Sequence, residues 1–311
     1  MRNLLVLTRD LEGYGKCLEA ANLPDLGITL RTTAPKETAL LAECDILFGD
    51  PDLCVEVLDH CPNLKWIQST WAGVKPITDC RRSEILLTGV KDVFGKQMQE
   101  YVFAYLLYFS RQIYDYKRLQ QQQSWQPIHC NNLYAQTIVI LGVGSIGKEV
   151  AKMAKQFGMY VIGVARSKVE CDYIDEYYAI EQHEVFAAKA DYLVSLLPHT
   201  TETENVIDRT FISNLAKHCV LINAGRGQVV DEVALGDALR QGALKAAVLD
   251  VFKTEPLPAN HTFWSLPNLY ITQHTAAISK PEELVRIFID NYQRYIANSS
   301  LNYLIDWEKG Y

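Results

Sequence analysis

Apolar positions fall in short runs divided by polar stretches of helical periodicity, and this alternation covers most of the chain. Across residues 3–95 the runs N-L-L-V-L-T, G-I-T-L-R, D-I-L-F-G, N-L-K-W-I-Q-S and E-I-L-L-T have strand length, with short helical patterns such as 36–43 between them. Strands alternating with helices predict a parallel sheet wrapped by helices. Residues 96–123 then repeat apolar side chains at helical spacing (Val102, Tyr105, Leu106, Phe109), which predicts one long helix bridging two domains. Its glutamine-rich end reads as solvated surface, and Pro127 stops any continuation.

A second set of strands is expected at 137–141, 159–164, 192–196, 219–222, 246–249 and 269–272, followed by a final helix near Pro281 that returns to the first domain. The first of these strands, T-I-V-I-L, runs into G-V-G-S-I-G and then a helix that stops at Gly158. That is the spacing of a dinucleotide-binding turn. Gly142 permits the tight turn, Gly144 lets backbone amides approach a pyrophosphate, and Gly147 lets helix and strand pack closely. The amides from Val143 to Ile146 would meet the phosphates at the positive helix end.

Length and charge narrow the classes. With 311 residues, two domains are the expectation, and 49% hydrophobic with 22% charged residues is ordinary for a globular protein. No run approaches a membrane span, and the N-terminal apolar run is too short for a signal peptide. A net charge of −7 disfavours a nucleic-acid-binding face, because phosphate backbones are held by an excess of Lys and Arg. The eight scattered cysteines, without a C-x-x-C, read as reduced thiols of a cytoplasmic protein.

Four further stretches begin where predicted strands end: L-P-H-T from Leu197, N-A-G-R-G-Q-V-V-D-E from Asn223, L-D-V-F-K-T-E-P-L-P from Leu249 and I-T-Q-H-T-A-A from Ile271. In a doubly wound sheet such positions converge on the ligand edge, so Leu197, Pro198, Ala224, Gly225 and Asp250 join the expected cofactor contacts. Reducing a carbonyl with a nicotinamide needs a hydride donor, a proton donor and a cation that binds an anionic substrate. His274 is of the right type for the acid, Glu255 would keep its imidazole protonated, and Arg226 can grip a 2-oxoacid through paired hydrogen bonds. Earlier in the chain, the loop S-T-W-A-G-V follows a strand, and the amides of Ala72 and Gly73 suit a substrate carboxylate; a plain turn remains open as the alternative. No clustered ligand set calls for a metal. The strand 159–164 ends at Arg166, 19 residues past Gly147 (166 − 147), where NAD sites carry an acid. A guanidinium, a hydroxyl and an ammonium from Arg166, Ser167 and Lys168 suit a 2′-phosphate instead, which predicts NADP.

Taken together, these motifs resemble the D-isomer-specific 2-hydroxyacid dehydrogenase family over nearly the whole chain. Q-M-Q-E-Y-V from Gln97, A-R-S-K from Ala165, the E-P-L-P and H-T-A-A segments and the terminal G-Y are similar to its glyoxylate and hydroxypyruvate reductases. The resemblance implies an α/β fold of two doubly wound parallel-sheet domains: a flavodoxin-like substrate domain (1–96 and 283–311) and a Rossmann dinucleotide-binding domain (97–282). It implies Arg226, Glu255 and His274 as the catalytic set, with Arg226 and His274 also beside the cofactor, and Ala72 and Gly73 holding the carboxylate. It further implies a small 2-oxoacid substrate, a cytoplasmic homodimer, and no nucleic-acid or membrane partner. Gln273, A-Q-T at 135–137 and Trp71 depart from the family pattern, and of these Trp71 bears on the substrate. The same fold also serves nucleotide-sensing corepressor-like scaffolds, which leaves a binding protein as the alternative to an enzyme.

Overall fold

The structure, a computed structural model, describes residues 1–167 and 170–308, so the Lys168 and terminal G-Y expectations lie outside the described residues. It divides into two compact units, residues 1–93 with 279–311, and residues 94–278. The junctions fall a few residues before the expected 96/97 and 282/283, because the final helix, Pro281–Ile296, belongs wholly to the first unit.

The first unit is built on strands β1 (Arg2–Leu7), β2 (Leu26–Arg31), β3 (Ile46–Gly49), β4 (Trp66–Ser69) and β5 (Leu86–Thr88), all parallel in the order β2-β1-β3-β4-β5. This is the flavodoxin-like order. The inner strands β3 and β4 are buried throughout, as strands covered on both faces must be. On one face the final helix inserts Phe288, stacked 4.8 Å from Phe48 and 5.2 Å from Trp66. Beside it the buried Asn291 donates to Gln68 Oε1 at 3.1 Å, and Gln68 in turn donates to the Gly89 carbonyl at 3.0 Å. A polar core of this kind is tolerated because its groups are paired.

The second unit carries β6 (Thr137–Leu141), β7 (Tyr160–Val164), β8 (Glu176–Tyr178), β9 (Tyr192–Ser195), β10 (Val220–Asn223), β11 (Ala246–Leu249) and β12 (Leu269–Ile271). The order β12-β11-β10-β9-β6-β7-β8 is parallel throughout and reverses between β6 and β9. That is the doubly wound Rossmann arrangement, with its topological switch at the glycine turn. β8 carries no periodic signal: three half-buried residues at a sheet edge, E-Y-Y, do not stand out from a loop.

The long helix expected over 96–123 is two helices, Gly95–Ser110 and Ile113–Gln121. Gln112 at their junction has φ 52°, left-handed, and ends the first. The second buries no residue, so packing does not hold it in line. Among the described residues no helix is long and apolar enough to cross a membrane.

Candidate active site

One backbone device aligns the motifs of the second unit. The residue after each strand donates its amide to the last carbonyl of the neighbouring strand: Gly142 to Val164 at 2.9 Å, Leu196 to Leu141 at 2.8 Å, Ala224 to Ser195 at 3.1 Å, Asp250 to Asn223 at 3.0 Å and Thr272 to Leu249 at 3.0 Å. Strand ends in register therefore put the glycine turn and the four other stretches along one edge.

At the switch, Gly142 has φ 98°, and a Cβ there would lie 3.1 Å from the Leu196 carbonyl oxygen. A Cβ on Gly147 would lie 2.2 Å from the Gly142 oxygen, so helix Ser145–Gln156 can pack on β6 only through glycine. Gly144 differs. Its Cβ would meet nothing within 4 Å, and as N-cap it supplies no side-chain bond to the first amides of the helix. The chain leaves that space open and those donors uncapped, which fits a phosphate group. Ser145 is exposed and Ile146 partly so, whereas the Val143 side chain is buried against Gly163, so only its backbone can serve the turn. Arg166 and Ser167 are exposed just beyond β7, and the Arg166 charge helps hold the Glu202 carboxyl below its ordinary range, after the hydrogen bonds from Thr200 and from Glu202's own amide.

Arg226 follows β10 in a turn held by the buried Asn223, whose Nδ2 donates to the Arg226 carbonyl at 2.9 Å and whose Oδ1 accepts from the Gly225 amide at 3.2 Å. Gly225 packs on the stretch after β9, where a Cβ would come within 2.5 Å of the Leu197 oxygen. Pro198 is exposed and its carbonyl accepts from Thr203 at 2.6 Å. Ala224 is buried, so it too can meet a ligand only by backbone. One Nη1–H of Arg226 goes to the Gly225 carbonyl at 2.7 Å, and a guanidinium has further donors for a carboxylate. Burial lowers the Arg226 pKa, opposed by the Glu255 charge.

His274 Nδ1 lies 2.7 Å from Glu255 Oε2, and Glu255 Oε1 accepts the Phe252 amide at 2.8 Å. Burial would raise the Glu255 carboxyl, but the hydrogen bonds from His274 and the Phe252 amide, with the charges of His274 and Arg226, hold it below its ordinary value. The structure thus brings together Arg226, Glu255 and His274 from three strand ends. Asp250, expected among the cofactor contacts, is 2% exposed and lies under the His274 loop. It accepts from Thr272 Oγ1 at 2.6 Å, Thr275 N at 2.8 Å and Ala276 N at 3.0 Å, and its carbonyl accepts the His274 amide at 2.8 Å.

Trp71, Ala72 and Gly73 lie in the first unit, on the loop after β4. The Ser69 hydroxyl donates to the Trp71 carbonyl at 2.8 Å, and Arg9 lies over the indole, 5.9 Å from its centroid. Asp50, buried after β3, accepts from Thr70 Oγ1 at 2.6 Å and pins this loop as Asp250 pins the other. Sequence reasoning passed over Asp50 and gave Asn223, the first residue of its stretch, no role; the available signal was a polar residue closing an apolar strand (I-L-F-G-D, V-L-I-N).

A doubly wound dinucleotide domain presenting these residues at its strand ends defines an α/β oxidoreductase, and the chain belongs to the D-isomer specific 2-hydroxyacid dehydrogenase family, whose NAD binding domain matches residues 103–276. Glyoxylate/hydroxypyruvate reductase A of Serratia proteamaculans is 38% identical over 235 residues, 73% of this chain and 75% of that protein. Among solved structures, a D-isomer specific 2-hydroxyacid dehydrogenase family protein from Aeromonas salmonicida superposes with TM-score 0.93 at 40% identity, covering 98% of this chain and 99% of that one. An NADPH-dependent glyoxylate/hydroxypyruvate reductase from Sinorhizobium meliloti, solved with NADP and sulfate, gives TM-score 0.85 at 26% identity over all of both chains.

Proposed function

We propose that the protein reduces a small 2-oxoacid, glyoxylate or hydroxypyruvate, to the 2-hydroxyacid with NADPH, as a cytoplasmic homodimer. The observation that carries this reading is the His274–Glu255 contact of 2.7 Å on the strand-end edge that also holds Arg226 and the glycine turn. The bound nicotinamide supplies the hydride. Arg226 takes the substrate carboxylate and draws electron density toward the carbonyl oxygen. The Ala72 and Gly73 amides are the carboxylate donors that the first unit offers. His274 donates a proton from Nε2, because Nδ1 is turned to Glu255, and the Glu255 carboxylate stabilises the imidazolium before transfer. The helix N-terminus at Gly144 would receive the pyrophosphate, and Arg166, Ser167 and Lys168 the 2′-phosphate, for which an acid in the same place would be repulsive. The NADP bound to the Sinorhizobium enzyme supports the cofactor, and the Serratia enzyme's name supports the substrates.

Steady-state reduction of a panel of 2-oxoacids with NADPH and with NADH is the direct test. The expected result is turnover of both named acids and an NADPH preference of at least about tenfold in kcat/KM, which Arg166→Asp reverses or abolishes. Absence of turnover on every acid refutes the enzyme reading. Equal use of the two cofactors by the wild type refutes the role given to Arg166.

A further inference from the structure

The stretch after β10 ends in two acids, Asp231 and Glu232, and the reaction as described uses neither. Asp231 caps the helix Glu232–Arg240, accepting the Val233 and Ala234 amides at 3.0 Å each. Glu232 reaches away from that helix. Its Oε1 accepts the Lys253 amide at 2.9 Å, and its Oε2 faces His261 Nε2 at 3.8 Å, with the side chain only 16% exposed. His261 Nδ1 accepts the Phe263 amide at 3.3 Å, so the imidazole proton sits on Nε2, toward Glu232.

Lys253 stands two residues before Glu255, in a loop with no helix or strand of its own. Its peptide is gripped on both sides: Glu232 takes its N–H, and Gln228 Nε2 donates to its carbonyl at 3.4 Å. Below it, a Cβ on Gly227 would fall 1.9 Å from the Phe252 carbonyl carbon, so the Arg226 turn and the Glu255 loop meet backbone to backbone. The lysine ammonium is elsewhere, on Asn205 Oδ1 at 2.5 Å. What Glu232 holds is therefore the main chain that aims Glu255.

We propose that Glu232 is a positioning residue for the Glu255–His274 pair. By fixing the Lys253 amide it fixes the turn in which Glu255 Oε1 receives the Phe252 amide, and so keeps Oε2 on His274 Nδ1. The inference rests on the reading of that pair as acid and partner. Glu255 is faced by His274 and Arg226, and Glu232 by His261. A displacement of about 1 Å in a supporting group is enough to slow catalysis strongly.

The test is the pH profile of kcat and kcat/KM for wild type, Glu232→Ala, Glu232→Gln, Glu232→Asp, Glu255→Gln and the double variant Glu232→Ala/Glu255→Gln. Glu232→Ala is expected to lower kcat on the order of tenfold. It should also move the high-pH loss of reduction to lower pH, in the direction of Glu255→Gln, with the NADPH KM unchanged. Glu232→Asp, one methylene short of Lys253, should do the same and carries the test if the alanine variant does not fold. Glu232→Gln keeps an acceptor oxygen for the Lys253 amide and should move the profile clearly less than Glu232→Ala, though its NH2 then faces His261 Nε2–H. The double variant should shift no further than Glu255→Gln alone. The proposal is overturned if Glu255→Gln moves the profile and neither Glu232→Ala nor Glu232→Asp does. It is equally overturned if Glu232→Gln moves the profile as far as Glu232→Ala, which would make charge rather than anchoring the cause. Additive shifts in the double variant also overturn it. An unmoved profile in Glu255→Gln overturns the reading of the pair itself, and this inference with it.

Discussion

His274 has φ 57°, in the left-handed region that costs a side-chain-bearing residue roughly 1–2 kcal/mol. The cost is met by Asp250, which accepts from the loop at three points and takes the His274 amide on its carbonyl. Strain held in place by a buried carboxylate points to a side chain whose direction matters. Replacing His274 with Ala should lower kcat by about a hundredfold or more while NADPH still binds. Stopped-flow fluorescence of NADPH binding and steady-state turnover check the two halves, and near-normal kcat would remove the acid role. At this scale the residue types were legible: an Arg, a Glu and a His after strands suggest the proposed chemistry. The pairing of Glu255 with His274 was expected from their types, but its 2.7 Å geometry between residues 19 positions apart depends on how β11 and β12 pair.

The strand–turn–helix unit at 137–156 shows how one motif combines two requirements. Gly147 is needed by the fold, because a Cβ there would strike the Gly142 oxygen at 2.2 Å; Gly144 is not, because a Cβ there meets open space. Gly147→Ala should therefore destabilise the protein by about 1–3 kcal/mol through overpacking. Gly144→Ala should keep the wild-type Tm and bind NADPH at least about tenfold more weakly, about 1.4 kcal/mol. Thermal melts with and without NADPH separate the two, and equal losses of Tm would contradict the distinction. The edge strand β8 shows a different kind of control. Glu176 accepts from Tyr160 at 2.7 Å, Tyr178 at 2.6 Å and Lys189 at 2.9 Å, and the bonds from Tyr178, Lys189 and Tyr160 hold its carboxyl at about 2, below 4.5. A depressed carboxylate adds stability that is present above the unfolded value and lost as pH falls through the folded one. Tm of the wild type should thus drop between pH 4.5 and about 2, and Glu176→Gln should show a smaller drop over that window. Parallel melts of the two proteins decide it.

For the chain as a whole, the apolar surface is informative. Ile113, Tyr114, Tyr116, Trp125 and Tyr134 are all exposed within one stretch of the second unit, and Trp125 is 100% exposed. Exposed large apolar groups in such number favour association, and we propose this stretch as a contact of the proposed homodimer. Sedimentation should show a dimer, with Trp125 fluorescence blue-shifted on association, and the double variant Tyr114→Ser/Trp125→Ser should shift the equilibrium toward monomer. A wild-type monomer at all accessible concentrations would remove the proposal. The same scale explains the return of the chain to its first unit: Phe288 and Asn291 complete a core begun by Phe48, Trp66 and Gln68 more than two hundred residues earlier.

Local pattern by itself determined the alternation of strands and helices, the place of the dinucleotide turn, and the motifs that end strands. Each depends on residues close in the chain: a period of two or 3.6, a glycine where a turn needs it, a basic cluster where an acid would otherwise stand. Tertiary structure decided what depends on pairing. It set the strand order that puts β6 between β7 and β9, and it drew the three-residue β8 into the sheet edge. It broke the helix at Gln112, where the following residues find no core to cover. It also placed Asp250 and Glu232 under the loops that carry His274 and Glu255. A carboxylate looks the same in sequence whether it meets a ligand, solvent or a distant amide, and only the fold supplies the partner.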